Sequence, residues 1–149
     1  MIEDLIKERI KKLENFKQAG HEPYPAESER THYVKEALAN FDQLTVEQKT
    51  ITVAGRLFGL RNQGSLFFAD LKDGGLQDPP SHNSFGGHGK IQLVVKKENL
   101  TDFELFRDNL DIGDFVQASG TLFITQKGEK SIEVKSLKLL AKSLRPLPD

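Results

Sequence analysis

The stretch ITVAGRLFGLRNQGSLFFADLKD, Ile51 to Asp73, decides the fold. Before it, apolar residues recur at helical spacing; from Ile51 the period changes to two, the side-chain repeat of a strand. Residues 66–73 alternate cleanly. Phe67, Ala69 and Leu71 share one face, and Leu66, Phe68, Asp70 and Lys72 share the other. The first set reads as a core face. The second is a solvated face that still carries an aromatic ring, Phe68. Gly55 and Gly59 inside the first strand predict a bulge or a sharp coil. The two strands therefore flank a glycine-containing turn.

Downstream, the pattern predicts a third strand over 90–96, with Ile91, Leu93 and Val95 inward and Gln92 and Lys96 outward. A helix follows over 102–110. Thr101 and Glu104 have capping-box spacing, and Phe103, Phe106 and Leu110 form its apolar side. Strands are then predicted over 115–125 and 131–139, joined by a hairpin turn at Gln126-Lys127-Gly128-Glu129. Five strands with a helix between the third and fourth is the order of a mainly β OB-fold, a small Greek-key barrel. A generic α+β sheet is the alternative. The link 74–89, GGLQDPPSHNSFGGHG, is far longer than a hairpin needs and reads as a surface loop.

Upstream, Ile2, Leu5, Ile6, Ile10, Leu13 and Phe16 predict an amphipathic helix over 1–19, capped by Gly20. His21-Glu22-Pro23-Tyr24-Pro25 is extended by proline constraint. A second helix is predicted over 31–40, and a short turn from Thr45, with Gln48 in capping-box position. The expected organisation is a helical extension over 1–48, the barrel over 49–141, and the start of a linker over 142–149.

Composition narrows the chemistry. Charged residues make up 29% and hydrophobic residues 37% of the 149, an ordinary globular balance. There is no cysteine, which excludes disulfides, zinc–thiolate sites and cysteine nucleophiles. His82 and His88, with Asp78 as the nearby carboxylate, do not make a metal-ligand set, so no metal site is expected. No nucleophile–base pair or phosphate loop is visible, so no catalytic residue is expected. No apolar run reaches the roughly 18 residues of a membrane span. The charged N-terminus lacks a signal peptide's apolar core, so the expectation is a cytoplasmic protein away from membranes. The net charge of −1 and pI of about 6.4 exclude nucleic-acid binding by bulk charge alone.

What remains is local recognition. Strand parity puts Phe68 and Gln92 on the outer face, side by side if strands two and three pair. Glu129 shares parity with Ser131, Glu133 and Lys135. A phenylalanine offers a π-face to any base; a glutamine offers a donor and an acceptor; an ionised glutamate only accepts. A carboxylate does not belong beside phosphates, so an acidic group in such a site points to base reading. Uracil presents an N3–H between two carbonyls and suits this set, whereas cytosine turns an N3 acceptor toward the carboxylate. Arg56 and Arg61 on the first strand can hold phosphate or stack. Taken singly, each of these residues also reads as an ordinary surface residue. A different reading makes the chain a protein-interaction module that docks a partner through its first helix, where packing of that helix on its own barrel is the plainer assignment.

At these residues the chain resembles a family. Gly55-Arg56, Arg61, Phe68 and Leu71-Lys72-Asp73, with Ile91-Gln92-Leu93 and Gly113-Asp114, are similar to the N-terminal anticodon-binding region of class II lysyl-, aspartyl- and asparaginyl-tRNA synthetases. Gly20 to Pro25, Thr125 to Ser131 and Leu140 to Pro148 resemble the lysyl branch. The resemblance implies that Phe68, Gln92 and Glu129 recognise the central uridine of a lysine anticodon, with Arg61 and Arg56 as further loop contacts. It implies tRNA as partner, a homodimer in the full-length protein, and a catalytic domain that uses ATP and magnesium. Nothing in these residues resembles that catalytic domain. The chain is therefore expected to be a fragment, with a free-standing relative as the alternative, inactive alone and without a cofactor of its own.

Overall fold

The computed structural model describes residues 2–21, 29–73 and 89–144. Three helices precede the sheet: α1 (Ile2–Gln18), α2 (Val34–Ala39) and α3 (Phe41–Glu47). The strands are β1 (Ile51–Asn62), β2 (Leu66–Lys72), β3 (Lys90–Lys96), β4 (Phe115–Ile124) and β5 (Lys130–Ala141), with α4 (Phe103–Asn109) between β3 and β4. They close into a barrel in the order β1-β2-β3-β5-β4, with β4 returning to pair β1. Every pairing is antiparallel except β3 with β5. This is the five-stranded OB-fold topology that the strand order predicts.

Two irregularities accompany closure, the first of them anticipated by the strand-one glycines. The β1–β2 register slips between Leu57 and Gly59, leaving Phe58 as the extra, bulged residue. At Gly120 on β4 a Cβ would collide with the Glu133 carbonyl of β5, so only glycine lets the two backbones approach there. The interior is one cluster. Phe16 of α1, Val34 of α2, Phe41 of α3, and Phe103 and Phe106 of α4 join Ile51, Leu71, Leu93, Ile132 and Leu139 from the strands. Phe16, Phe103 and Phe106 are fully buried. Burying each contributes about 1.5–3 kcal/mol.

Helix α1 ends as its sequence predicts. Gly20 has φ +92°, its N–H donates to Lys17, and the His21 N–H donates to Phe16, a Schellman cap. Its buried apolar residues are in its C-terminal half: Leu13 and Phe16 are buried, while Ile2, Leu5 and Ile10 stay exposed. His21 Nε2 lies 2.8 Å from Asp102 Oδ2, and its ring meets Phe16 and Phe106 edge-on. The end of α1 is thereby fixed to the start of α4.

Three local expectations are corrected. Residues 31–33 are extended, not helical, because the Thr31 and His32 N–H groups donate to the Thr52 carbonyl beside the sheet. Thr45 lies inside α3, and Gln48, expected at its start, caps its end in a left-handed conformation. Helix α4 begins after Asp102 with no side-chain cap, so the Thr101–Glu104 capping box does not form. Glu104 instead pairs with Lys97 at 3.3 Å.

At one end of the β4–β5 hairpin sits an ion cluster. Lys142 Nζ is fully buried and donates to Asp114 Oδ2 (2.6 Å), Asp111 Oδ2 (2.7 Å) and the Asn109 carbonyl (2.9 Å). An ammonium has three N–H groups, and all three are used. Lys12 of α1 reaches Asp111 Oδ1 at 2.9 Å, so the cluster ties α1, the α4–β4 turn and the end of β5 together. Its two carboxylates shift in opposite directions. Burial pushes Asp114 up even against the Lys142 charge. Burial also acts to raise Asp111, but hydrogen bonds from Lys12 and Lys142 outweigh it and hold that group low.

Candidate nucleic-acid interface

The site occupies the outer face of β1–β2–β3 and the turn between β4 and β5. Alternation along β2 puts Phe68, Asp70 and Lys72 on this face, because Phe67, Ala69 and Leu71 face the interior. Strand register then arranges the face in rows. The first row is Arg61, Phe68, Val94 and Glu133; the second is Gly59, Asp70, Gln92 and Ser131; the third is Arg56, Lys72 and Lys90.

This corrects one expectation. Gln92 does not stand directly beside Phe68; its partner on β2 is Asp70, and Phe68 stands opposite Val94. Phe68 and Gln92 are diagonal neighbours, about 7–8 Å apart at their backbones and still within reach of one small ring placed between them. Val94 is 4% exposed without belonging to the interior cluster. It forms an apolar floor next to Phe68, which is itself half-buried.

The second row is a directional hydrogen-bond chain. Arg61 Nη1 donates to Asp70 Oδ2 at 2.8 Å, and Arg61 Nη2 donates to Gln92 Oε1 at 2.9 Å. A guanidinium cannot accept, so the glutamine atom facing it is the carbonyl oxygen. The amide nitrogen therefore faces the other way, where Nε2 donates to Ser131 Oγ at 3.0 Å. Ser131 Oγ in turn donates to the Glu129 carbonyl at 3.2 Å. The amide orientation of Gln92 is thus fixed at both ends, and one of its N–H groups has no partner among the described residues. The Arg61 guanidinium also lies 5.6 Å from the Phe68 ring centre.

Glu129 sits one residue before β5, in the hairpin turn. Its backbone is held on both sides: its N–H donates to Thr125 Oγ1 at 3.0 Å, and its carbonyl accepts from the Thr125 N–H at 2.9 Å. Its exposed carboxylate has no hydrogen bond or ion pair among the described residues. Glu133, sharing its parity, is instead committed. Hydrogen bonds from Lys135 and Asn99 hold its carboxyl below the usual range.

Arg56 lies apart from this centre. Its guanidinium stacks over Phe115, 4.5 Å from the ring centre. It shares a row with Lys72, four residues along β2 from Phe68 or about 13 Å away. Lys72 and Lys90 complete that row, and neither forms an ion pair among the described residues. Lys90 lies 5.8 Å from the ring of the bulged Phe58.

The structure thus gathers Phe68, Gln92, Arg61 and the Glu129 turn into one patch and leaves Arg56 at its edge. Sequence reading missed three participants. Asp70 was legible as an outward residue of β2 but had no assigned partner. Ser131 had outward parity, yet it is fully buried beneath Gln92. Phe123 pairs with Ser131 across β4–β5 and is a second half-buried aromatic on this row; its outward parity was the same signal that singled out Phe68. Among the described residues no group of histidine and acidic side chains is placed to hold a metal ion. His82, His88 and Asp78 lie outside the described residues. No helix of the described residues is long and apolar enough to cross a membrane.

Comparison with known proteins fits this geometry. An OB-fold nucleic acid binding domain family, that of tRNA anticodon-binding domains, matches residues 86–140. The chain is 42% identical to a lysine–tRNA ligase of Roseiflexus castenholzii, an alignment that covers 99% of this chain and 28% of that protein. It is 40% identical to the lysine–tRNA ligase of Chloroflexus aurantiacus over the same shares, and 39% identical to that of Clostridium novyi over 97% of this chain and 26% of the relative. The chain therefore spans little more than a quarter of the length of these relatives. The barrel topology, the family match and the end-to-end similarity agree: this chain is an OB-fold domain, homologous along nearly its whole length to part of lysine–tRNA ligases.

Proposed function

We propose that the outer face of β1–β3, with the β4–β5 turn, binds the anticodon loop of a lysine tRNA and reads its central uridine. The base stacks on Phe68. The unpartnered N–H of Gln92 donates to a uracil carbonyl, and the Glu129 carboxylate accepts from N3–H. Cytosine offers a lone pair where uracil offers that proton, so the carboxylate is left facing an acceptor. The row Arg56, Lys72 and Lys90 contacts the loop backbone. The observation that carries the reading is the fixed amide of Gln92, held between Arg61 and Ser131 with one donor left over, a pleat away from an accessible ring.

The remainder of the proposal concerns the whole protein. The domain needs no cofactor; ATP and magnesium act in a catalytic portion that ligates lysine to the tRNA. That protein is cytoplasmic and dimeric, and this domain supplies positioning and choice of tRNA rather than chemistry. The test is the affinity of the chain for an anticodon stem-loop with uridine at the central position and for the same stem-loop with cytidine. Preference for uridine supports the base-reading role, and equal affinity removes it.

A further inference from the structure

We propose that Asp70 is a positioning residue for specificity: by holding Arg61 against Gln92, it commits that arginine to orienting the base-reading amide and withholds it from the phosphates. The inference deepens the base-reading proposal and rests on it.

The geometry supplies the argument. An arginine on a nucleic-acid-binding face is ordinarily a phosphate contact, because its fork matches phosphate oxygens. Here both terminal nitrogens of Arg61 are already engaged, one by Asp70 Oδ2 and one by Gln92 Oε1. The Asp70 charge offsets that of Arg61, so the pair, which bridges the first and second rows, adds no net charge to the face. The neighbouring row of Arg56, Lys72 and Lys90 has no such carboxylate. The face is therefore divided into a row that reads and a row that grips.

Gly59 makes the arrangement possible. It stands opposite Asp70 beside the β1 bulge, and a Cβ there would collide with the Asp70 carboxylate. All three of its nearest neighbours are atoms of the Asp70 side chain, and its backbone does not need the left-handed region. The glycine is explained by the space that the carboxylate occupies. Without Asp70, Arg61 is free to turn outward, and the Gln92 amide loses the donor that tells its oxygen from its nitrogen. A flipped amide presents a carbonyl where uracil needs a donor.

Two variants separate this from a merely structural role. Asp70→Asn removes the charge at nearly constant shape; Gly59→Ala keeps the charge and displaces it. Both are predicted to reduce the preference for a uridine over a cytidine stem-loop by about tenfold, the worth of one charge-assisted hydrogen bond. Asp70→Asn is also predicted to bind the cytidine loop more tightly than the parent does. Its dependence of log affinity on log salt should steepen by about 0.7, one extra phosphate contact on a single strand. A structural lesion would weaken both loops together and leave the salt slope alone. In the free chain, the side-chain Nη–H and Gln92 amide resonances of the parent should be distinct and slow to exchange, and should broaden in both variants. If the parent prefers uridine and the variants retain that preference and slope, Asp70 has no positioning role. If the resonances respond but the parent does not prefer uridine, the base-reading proposal fails and this one falls with it.

Discussion

At one end of the β4–β5 hairpin, the Lys142 and Asp114 side chains are both completely buried; toward the other end, Arg61 and Asp70 keep 49% and 26% of their side-chain surface in water. Both clusters join a cation to a carboxylate at under 3 Å, and both pass a hydrogen bond to a third group. Their consequences differ because of water. A buried pair that loses one partner strands a charge in a poor solvent, so the Lys142 cluster is fixed by the cost of breaking it. An exposed pair costs little to break and can exchange a partner for a ligand. The same chemistry clamps the fold at one end and leaves recognition adjustable at the other.

The contrast predicts effects in descending order. Lys142→Ala should destabilise the chain by about 3–5 kcal/mol, read from urea unfolding, because Asp111 and Asp114 lose their common ammonium. A loss below about 1 kcal/mol would mean that the cluster is no clamp. The deficit should also depend on pH. Without Lys142, only the Asp111 and Ser143 N–H groups oppose burial at Asp114, whose folded-state value is already raised. A raised carboxyl contributes stability that is full below its unfolded value, near 3.9, and is lost as pH rises through the folded value. The gap between Lys142→Ala and the parent should therefore narrow as pH falls from 7 toward 4; a constant gap would contradict the assignment.

Effects at the other end should appear in binding and spare stability. Phe68→Ala should weaken both uridine and cytidine stem-loops by about 1–3 kcal/mol, the worth of one stacked base. Titration of a fluorescent stem-loop reads this, and no loss removes the stacking claim. Glu129→Gln should leave unfolding within about 0.5 kcal/mol of the parent, since its carboxylate makes no bond among the described residues, and should relax uridine preference. Smallest of all, Lys72→Gln and Lys90→Gln should each flatten the salt dependence by about 0.7 while leaving base preference unchanged. A change in preference would erase the division between reading and gripping rows.

The sequence carried the barrel because its strands obey alternation. β2 and β3 run over the residues their period predicts, and the helix between β3 and β4 falls where Phe103 and Phe106 require. It carried less where a tertiary partner overrides a local signal. Thr45 and Gln48 have capping-box spacing, yet Phe41 and Leu44 bury into the core and draw Thr45 inside a helix. Thr31 and His32 follow the sheet edge because Thr52 offers a carbonyl, which no local pattern reveals. For the site, parity located Phe68, Gln92 and Glu129 on a common side but could not supply register. Whether Gln92 faces Phe68 or Asp70 depends on the alignment of β3 against β2, a quantity that alternation leaves open by two residues at a time. Asp70 and Ser131 were hidden for the same reason, since their meaning lies in the strands beside them.

The most direct measurement is the affinity of the chain for a lysine-anticodon stem-loop with uridine at the central position, against the same loop with cytidine there, at one fixed salt concentration. The account predicts that the uridine loop binds more tightly by about tenfold or more, the size expected for reading one base edge. Equal affinity for the two loops would contradict it.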